Sequence, residues 1–329
     1  MVKNNKCLIV IIAFLCFWVN TINAQQQKQL TQNTFNILSY NPAFAGHVEA
    51  INVSATLRSQ WTGFGKITEK DETTGATTST SASPTLYMLN GDMYIRAIRG
   101  GIGLTISNDQ IGLYNNINVN LGYAYQHEFA GGGKLGIGAQ VKFDNIVLDT
   151  GGLVLGEEGD PLIGQMTSTG NDFIVDCNFG IYYSKPNSFF GGISAINLIE
   201  SQGYNTLFKE KRSFNVHGGY TFRFPASPKF KITPSALIKT DFATFQVDIN
   251  AIMTMENKFW FGVNYRISDG LGLIAGLMWK DFRLGYSYDI PMSKLALGNN
   301  WGSHEVVFSY SFKFEREKGR LTQKNTRYL

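Results

Sequence analysis

The chain has 329 residues, a formal net charge of +4, 43% hydrophobic residues and only 16% charged ones, with a mean hydropathy of −0.10. So balanced a charge argues against a nucleic-acid partner, and no apolar run after residue 24 reaches the roughly 18 residues that a membrane helix needs. Low charge together with 35 Gly, 24 Phe and 15 Tyr instead suits strands that show lipid one face and water the other.

The first segment, 1–24, reads as a secretory signal peptide. Lys3 and Lys6 give it a positive start, 7–19 an apolar stretch, and Ile22-Asn23-Ala24 a cleavage site before Gln25. Thirteen apolar residues are short for spanning a bilayer. Cys16 follows Phe14 and Leu15 rather than the small residues that precede a lipidated cysteine. Cleavage leaves Cys177 alone, so no internal disulfide is expected; its strand phase makes it a small outward apolar residue.

Residues 25–50 form a polar, then turn-rich stretch, expected to be a periplasmic or plug segment. From 51 to 314 a period of two takes over. In the first strand Ile51, Val53, Ala55 and Leu57 face outward, and Asn52, Ser54, Thr56 and Arg58 inward. Later strands centre on 85–95, 101–107, 116–128, 134–143, 172–183, 189–196, 213–224, 229–239, 244–253, 258–267, 270–279, 281–290 and 303–314. The pattern predicts an all-β fold, a transmembrane antiparallel β-barrel of about 14 strands. Tight links at 130–133, 185–187, 225–228 and 256–257 alternate with long ones at 61–84, 144–171, 197–212 and 291–302. Since such barrels have short periplasmic turns and longer surface loops, both termini are expected in the periplasm of an outer-membrane protein.

Energetics favour this reading over a dry β-sandwich. A lipid-facing Arg or Lys near the midplane costs roughly 2–4 kcal/mol, and the outward rows Phe245 to Met253 and Phe259 to Ile267 carry none. The facing rows hold Gln246, Asp248, Asn250, Asn264 and Arg266, which an apolar core would leave without partners. Bulky inward residues (Tyr182, Ile252, Trp260, Ile274) lean toward a filled lumen.

Chemistry is hard to find. His47, His127, His217 and His304 have no metal-ligand spacing, and no Gly-x-Ser-x-Gly elbow exists. His217, in an inward phase, is expected to be a hydrogen-bonded lumenal residue. Gly131-Gly132-Gly133-Lys134 and Gly270-Leu271-Gly272 read as turn and wall glycines, not phosphate loops. Glu157, Glu158 and Asp160 in a surface loop could take calcium or simply be solvated. The Thr/Ser-rich loop over 73–81 reads as solubilising or as a partner contact. No cofactor and no enzymatic activity are expected. The last segment, 315–329, is a basic periplasmic tail (Arg316, Lys318, Arg320, Lys324, Arg327), either disordered or a docking tail.

Several words of the sequence form a resemblance. Gln32-Asn33-Thr34-Phe35-Asn36 and Tyr40-Asn41-Pro42-Ala43-Phe44-Ala45-Gly46 come first, then Arg58-Ser59-Gln60-Trp61-Thr62-Gly63. Further on stand Thr233-Pro234-Ser235-Ala236-Leu237-Ile238-Lys239, Asn264-Tyr265-Arg266, Leu284-Gly285-Tyr286-Ser287-Tyr288-Asp289 and Gly302-Ser303-His304-Glu305-Val306. In order and over nearly the whole mature chain, these resemble the PorP/SprF family of the type IX secretion and gliding apparatus of Bacteroidota. The resemblance implies an outer-membrane barrel similar to long-chain fatty-acid channels, with a non-catalytic role in secretion. Implied partners are a large secreted surface protein, recognised by its type IX C-terminal domain, periplasmic or outer-membrane machinery components, and membrane lipid. It marks Asn41, Pro42, Gly46, Arg58, Gln60, Trp61, Asn264, Arg266, Tyr288, Asp289, His304 and Glu305 as candidate structural or partner-binding residues. Arg58 is the candidate anchor of a segment 25–50 that either partly occludes the lumen or only stabilises barrel closure. The alternative is an outer-membrane channel for small, even hydrophobic, solutes.

Overall fold

The structure, a computed structural model, describes residues 28–64, 67–70, 77–80, 83–149, 169–206, 208–225, 227, 229–292 and 301–313. Its strands are β1 (Ala50–Ser59), β2 (Thr85–Ile95), β3 (Gly100–Ile111), β4 (Tyr114–Glu128), β5 (Lys134–Asp149), β6 (Thr169–Ser184) and β7 (Phe189–Ile196). They continue with β8 (Ser213–Tyr220), β9 (Phe230–Thr240), β10 (Phe245–Met255), β11 (Phe259–Arg266), β12 (Gly270–Trp279), β13 (Phe282–Pro291) and β14 (Ser303–Lys313). Each pairs antiparallel with its neighbours in sequence, and β1 closes the ring on β14, with Arg58 opposite Glu305. Closure removes the open edges that a bilayer could not satisfy.

Alternation of side chains is what sorts the wall. Along β10, Phe245, Ile249 and Met253 are exposed, while Asp248, Asn250 and Ile252 are buried inside. The same holds in β4, where Leu121, Tyr123 and Tyr125 point out and Asn118, Asn120 and Gln126 point in. The interior is therefore a polar core, with apolar clusters such as Ile252, Trp260 and Ile274 set into it.

Four details depart from the sequence reading. The first barrel strand starts at Ala50, one residue ahead of the expected 51, while residue 314 lies outside the described residues. β5 and β6 extend well into the expected 144–171 loop, because the polarity of the faces inverts there: Ile146 and Leu148 turn inward and are buried. The eighth strand breaks at Thr221, with Phe222–Arg223 as a short continuation. Within the 61–84 link, Ile67–Lys70 pairs with Thr77–Thr80 as a hairpin. The signal peptide, the 157–160 acids and the 315–329 tail lie outside the described residues.

Ahead of β1, residues 28–49 run inside the ring through three short 3₁₀ turns, Asn33–Phe35, Ile37–Ser39 and Pro42–Phe44. The third turn has a local cause. The Asn41 side chain accepts from the Ala43 amide at 3.0 Å, and Pro42 pre-sets φ at the first position. The path has a direction. Lys28 reaches Ser107 and Asn118, and its carbonyl accepts from Lys239; all three lie toward the end of the barrel that carries the long links. Gly46 meets Gly101 at the short-link end, where Lys313 also lies. The described segment thus runs from Lys28, toward the long-link mouth, to Gly46 at the short-link mouth.

Candidate functional site

The lumenal segment has no ladder of its own, so its backbone groups must find partners in the wall. At the upper level they find Glu305, whose two carboxylate oxygens accept from the Thr31 and Gln32 amides, both at 2.9 Å. Arg58 neutralises this group. Its Nη1 lies 3.0 Å from Glu305 Oε2 and its Nη2 2.7 Å from Asp289 Oδ2. Thr31 Oγ1 donates to Asp289 and accepts from Arg58.

A second network continues around the wall. Arg266 Nη1 is 2.7 Å from Asp269 and its Nε 3.5 Å from Asp248. Asn33 donates to Asp248, Asn250 donates to Asn33, and Asn264 donates to Asn250. Lower down, Asn36 Oδ1 accepts from Thr56 and Asn90, and Asn41 Nδ2 donates to the Ile181 and Ile193 carbonyls. At the base Gln126 donates to the Ala43 and Ala45 carbonyls, and the Gly46 amide donates to Asp92.

Gly46 (φ +64°) is obligatory on two counts: the left-handed backbone, and a Cβ that would stand 2.5 Å from Gly101 Cα. His47 beside it contacts Gln126 and Ser184 through its two ring nitrogens and sets its ring edge against Tyr182. Burial holds its pKa down at about 4. Burial likewise lowers that of Lys28, opposed by the Asp109 charge.

Of the candidate residues, Asn41, Pro42, Gly46, Arg58, Asn264, Arg266, Asp289 and Glu305 come together in the lumen. Gln60 and Trp61 sit at the long-link rim, lining its cavity. Tyr288 and His304 lie on the outer face instead, where His304 pairs with the Tyr286 hydroxyl and sets its ring at a tilt against Tyr288, 5.1 Å between centroids. His217 differs from expectation. Among the described residues neither ring nitrogen meets a hydrogen-bond partner; the ring stacks on Tyr182, because Gly192 and Gly219 beside it offer no side chain to bond. Asp92, Gln126 and Lys239 escape sequence reasoning as partners of the segment. Their signal is a charged or amide group in an inward phase, which says that something polar is opposite but not what.

Among the described residues, two sizeable hollows that share Lys28, Asp109, Asn116 and Phe208 in their walls lie at the long-link end. One, of about 410 Å³, is bounded by Trp61, Tyr114, Phe208 and Leu86 among others. The second, of about 110 Å³, lies beside it and is rich in Asn, Lys and Asp. Among the described residues no group of three or more His, Cys, Asp or Glu is placed to hold a metal.

The model of one protein family, described as type IX secretion system membrane protein PorP/SprF, matches residues 22–310. No curated protein matches. Among solved structures, the chain is similar to the Pseudomonas putida toluene transporter TodX at 11% identity and a TM-score of 0.45, covering 83% of this chain and 92% of that one. The Ralstonia pickettii toluene transporter TbuX gives 10% identity and 0.45, over 83% and 92%. A Pseudomonas aeruginosa FadL homologue gives 11% and 0.42, over 83% and 93%.

Proposed function

Because the chain belongs to the PorP/SprF family of type IX secretion system membrane proteins, and so is an outer-membrane component of that system, we propose that it works as a filled docking barrel, not as a conduit. In this reading it holds a large secreted surface protein by its type IX C-terminal domain, through the links at 61–84, 144–171, 197–212 and 291–302. Periplasmic or outer-membrane machinery is met from the short-link side, where the 315–329 tail would emerge. The reaction is binding, without a catalytic step.

One observation carries the reading: residues 28–49 run down the lumen and are bonded to strands all round the ring, from Glu305 and Asp248 to Ile181 and Gln126. A wall built to pass solutes would leave those inward groups to water. Here they are spent on the chain's own segment, which acts as a plug.

Pull-down of the barrel from native membranes tests the partner, with co-recovery of a large surface protein expected. Loss of solute uptake on deletion, with secretion intact, would favour a channel. Single-channel conductance of the purified barrel tests the plug: it should be near zero in the whole chain and rise when 25–45 are removed. An unchanged trace would remove the plug from the account.

A further inference from the structure

The hollow of about 110 Å³ lies between the lumenal segment, β3 to β5 and the 197–212 link. Its polar groups are held in fixed positions by one another. Lys142 bridges Asp144 at 2.9 Å and Glu210 at 2.7 Å, and also donates to Asn197. Asn118 donates to Asp144, Asn120 to Asn118, and the Asn197 amide to Asn178. Such a rigid array of amides and paired charges presents hydrogen-bonding sites without the entropy of ordering them.

Two acceptors in this array are left over. Asn116 Oδ1 and Asn215 Oδ1 are buried and lack a protein partner among the described residues; Asn215 is only 1% exposed, and its Nδ2 is already committed to the Tyr40 carbonyl. Both line the hollow. Charge selects the kind of donor they await. Asp109, Asp144, Glu210 and Asp241 stand against Lys28, Lys142 and Lys211 around the same space, and Asp241 is further bonded by the Thr244 and Ala243 amides of its own turn. With charge nearly balanced, a neutral donor loses less on desolvation than a cation does.

Phe208 gives the hollow an apolar side and Tyr114 stands 6.0 Å from it, centroid to centroid. Together with Trp61 they continue into the 410 Å³ vestibule. Hydroxyl-binding amides at the closed end and a run of aromatic faces toward the mouth match a molecule with hydroxyls at its rim and C–H on its ring faces. We propose that this double hollow is a saccharide-binding site, taking the terminal sugar of a neutral oligosaccharide among the asparagines and the following units along Phe208, Tyr114 and Trp61.

The test is isothermal titration of the full-length mature barrel in lauryldimethylamine oxide, a detergent without a sugar headgroup. Maltotriose and chitotriose are the probes, and spermidine is the cationic control. Saturable one-to-one binding of at least one saccharide is expected. Asn215→Leu should weaken it by about tenfold, the worth of one buried hydrogen bond. Phe208→Ala, on a link outside the wall, should weaken it comparably and keeps the test open if Asn215→Leu does not fold. The proposal is overturned if neither saccharide saturates, if both variants bind as the parent does, or if spermidine alone binds. Pull-down and conductance are indifferent to these outcomes.

Discussion

Arg58 and Glu305 face each other across the β1–β14 seam, and each is removed from water. Losing one partner of a buried ion pair leaves the other charge uncompensated, at a cost of about 3–5 kcal/mol. Arg58→Met should therefore lower the unfolding midpoint of the purified barrel, followed by heat-dependent gel mobility. Adding Glu305→Gln should restore part of the loss, since the stranded charge is then gone; a double variant whose loss equals the sum of the losses of Arg58→Met and Glu305→Gln measured singly would show that the pair is not coupled. Arg58 was legible in the sequence from its inward phase, and Glu305 only as a residue marked by the family resemblance; their pairing across the seam was not. Thr31 and Gln32 were not, because an irregular segment has no period to read and its partners are hundreds of positions away. His47 supplies a pH dependence. Its folded pKa of about 4 lies below the ordinary 6.5, with burial the main cause, Lys134 adding to it and Gln126 and Glu128 opposing. The folded state keeps the ring neutral while the unfolded chain protonates, so the contribution is complete above pH 6.5 and is lost as pH falls toward 4. At 1.36 kcal/mol per unit the full loss is roughly 3 kcal/mol. Protease sensitivity of the 28–49 segment should rise between pH 7 and 4, and His47→Gln should flatten that rise.

Strands were read from the alternation of polarity, and this fails where the outside stops being lipid. All fourteen barrel strands were legible by centre, yet β5 and β6 run on past the point where the pattern inverts: outward Asn145 faces away from the lumen and Ile146 faces into it. The rule "apolar out" belongs to the bilayer, not to the strand. In this protruding part, β6 organises the 197–212 link. Asp172 accepts from the amides of Tyr204, Asn205 and Thr206 and from the Thr206 hydroxyl, while Asp176 accepts from the amides of Ile199 and Ser201. A carboxylate holding several amides fixes a loop whose own described pairing is the single antiparallel bridge Gln202–Lys209. Asp172→Ala should thus release the loop locally without opening the barrel. Amide exchange over 203–206 should speed up by about a hundredfold, equivalent to roughly 3 kcal/mol, with the thermal midpoint unchanged. Equal exchange in parent and variant would show that the link is held elsewhere.

The same wall has to satisfy two solvents, and the order of its faces decides what the protein is. Turned inside out, this alternation would describe a water-soluble barrel around an apolar cavity; as built, many inward groups are bonded to the segment that runs through the lumen, and the outward apolar rows are left for lipid to meet. Leu121, exposed at the centre of β4, tests the distinction. Leu121→Arg should cost roughly 2–4 kcal/mol in folding titrations into bilayers, the penalty for a cation near the midplane, and little in a soluble protein, where an exposed Arg would be welcome. Probes report the same asymmetry directly. Labels at Val119 and Val247 should be quenched by brominated acyl chains, and one at Asn250, behind the wall and bonded to Asn33 and Asn264, should not. Quenching at Asn250 but not at Val119 would require the faces to be exchanged. The lumenal segment would then have no lumen, and the docking role argued from it would go with it.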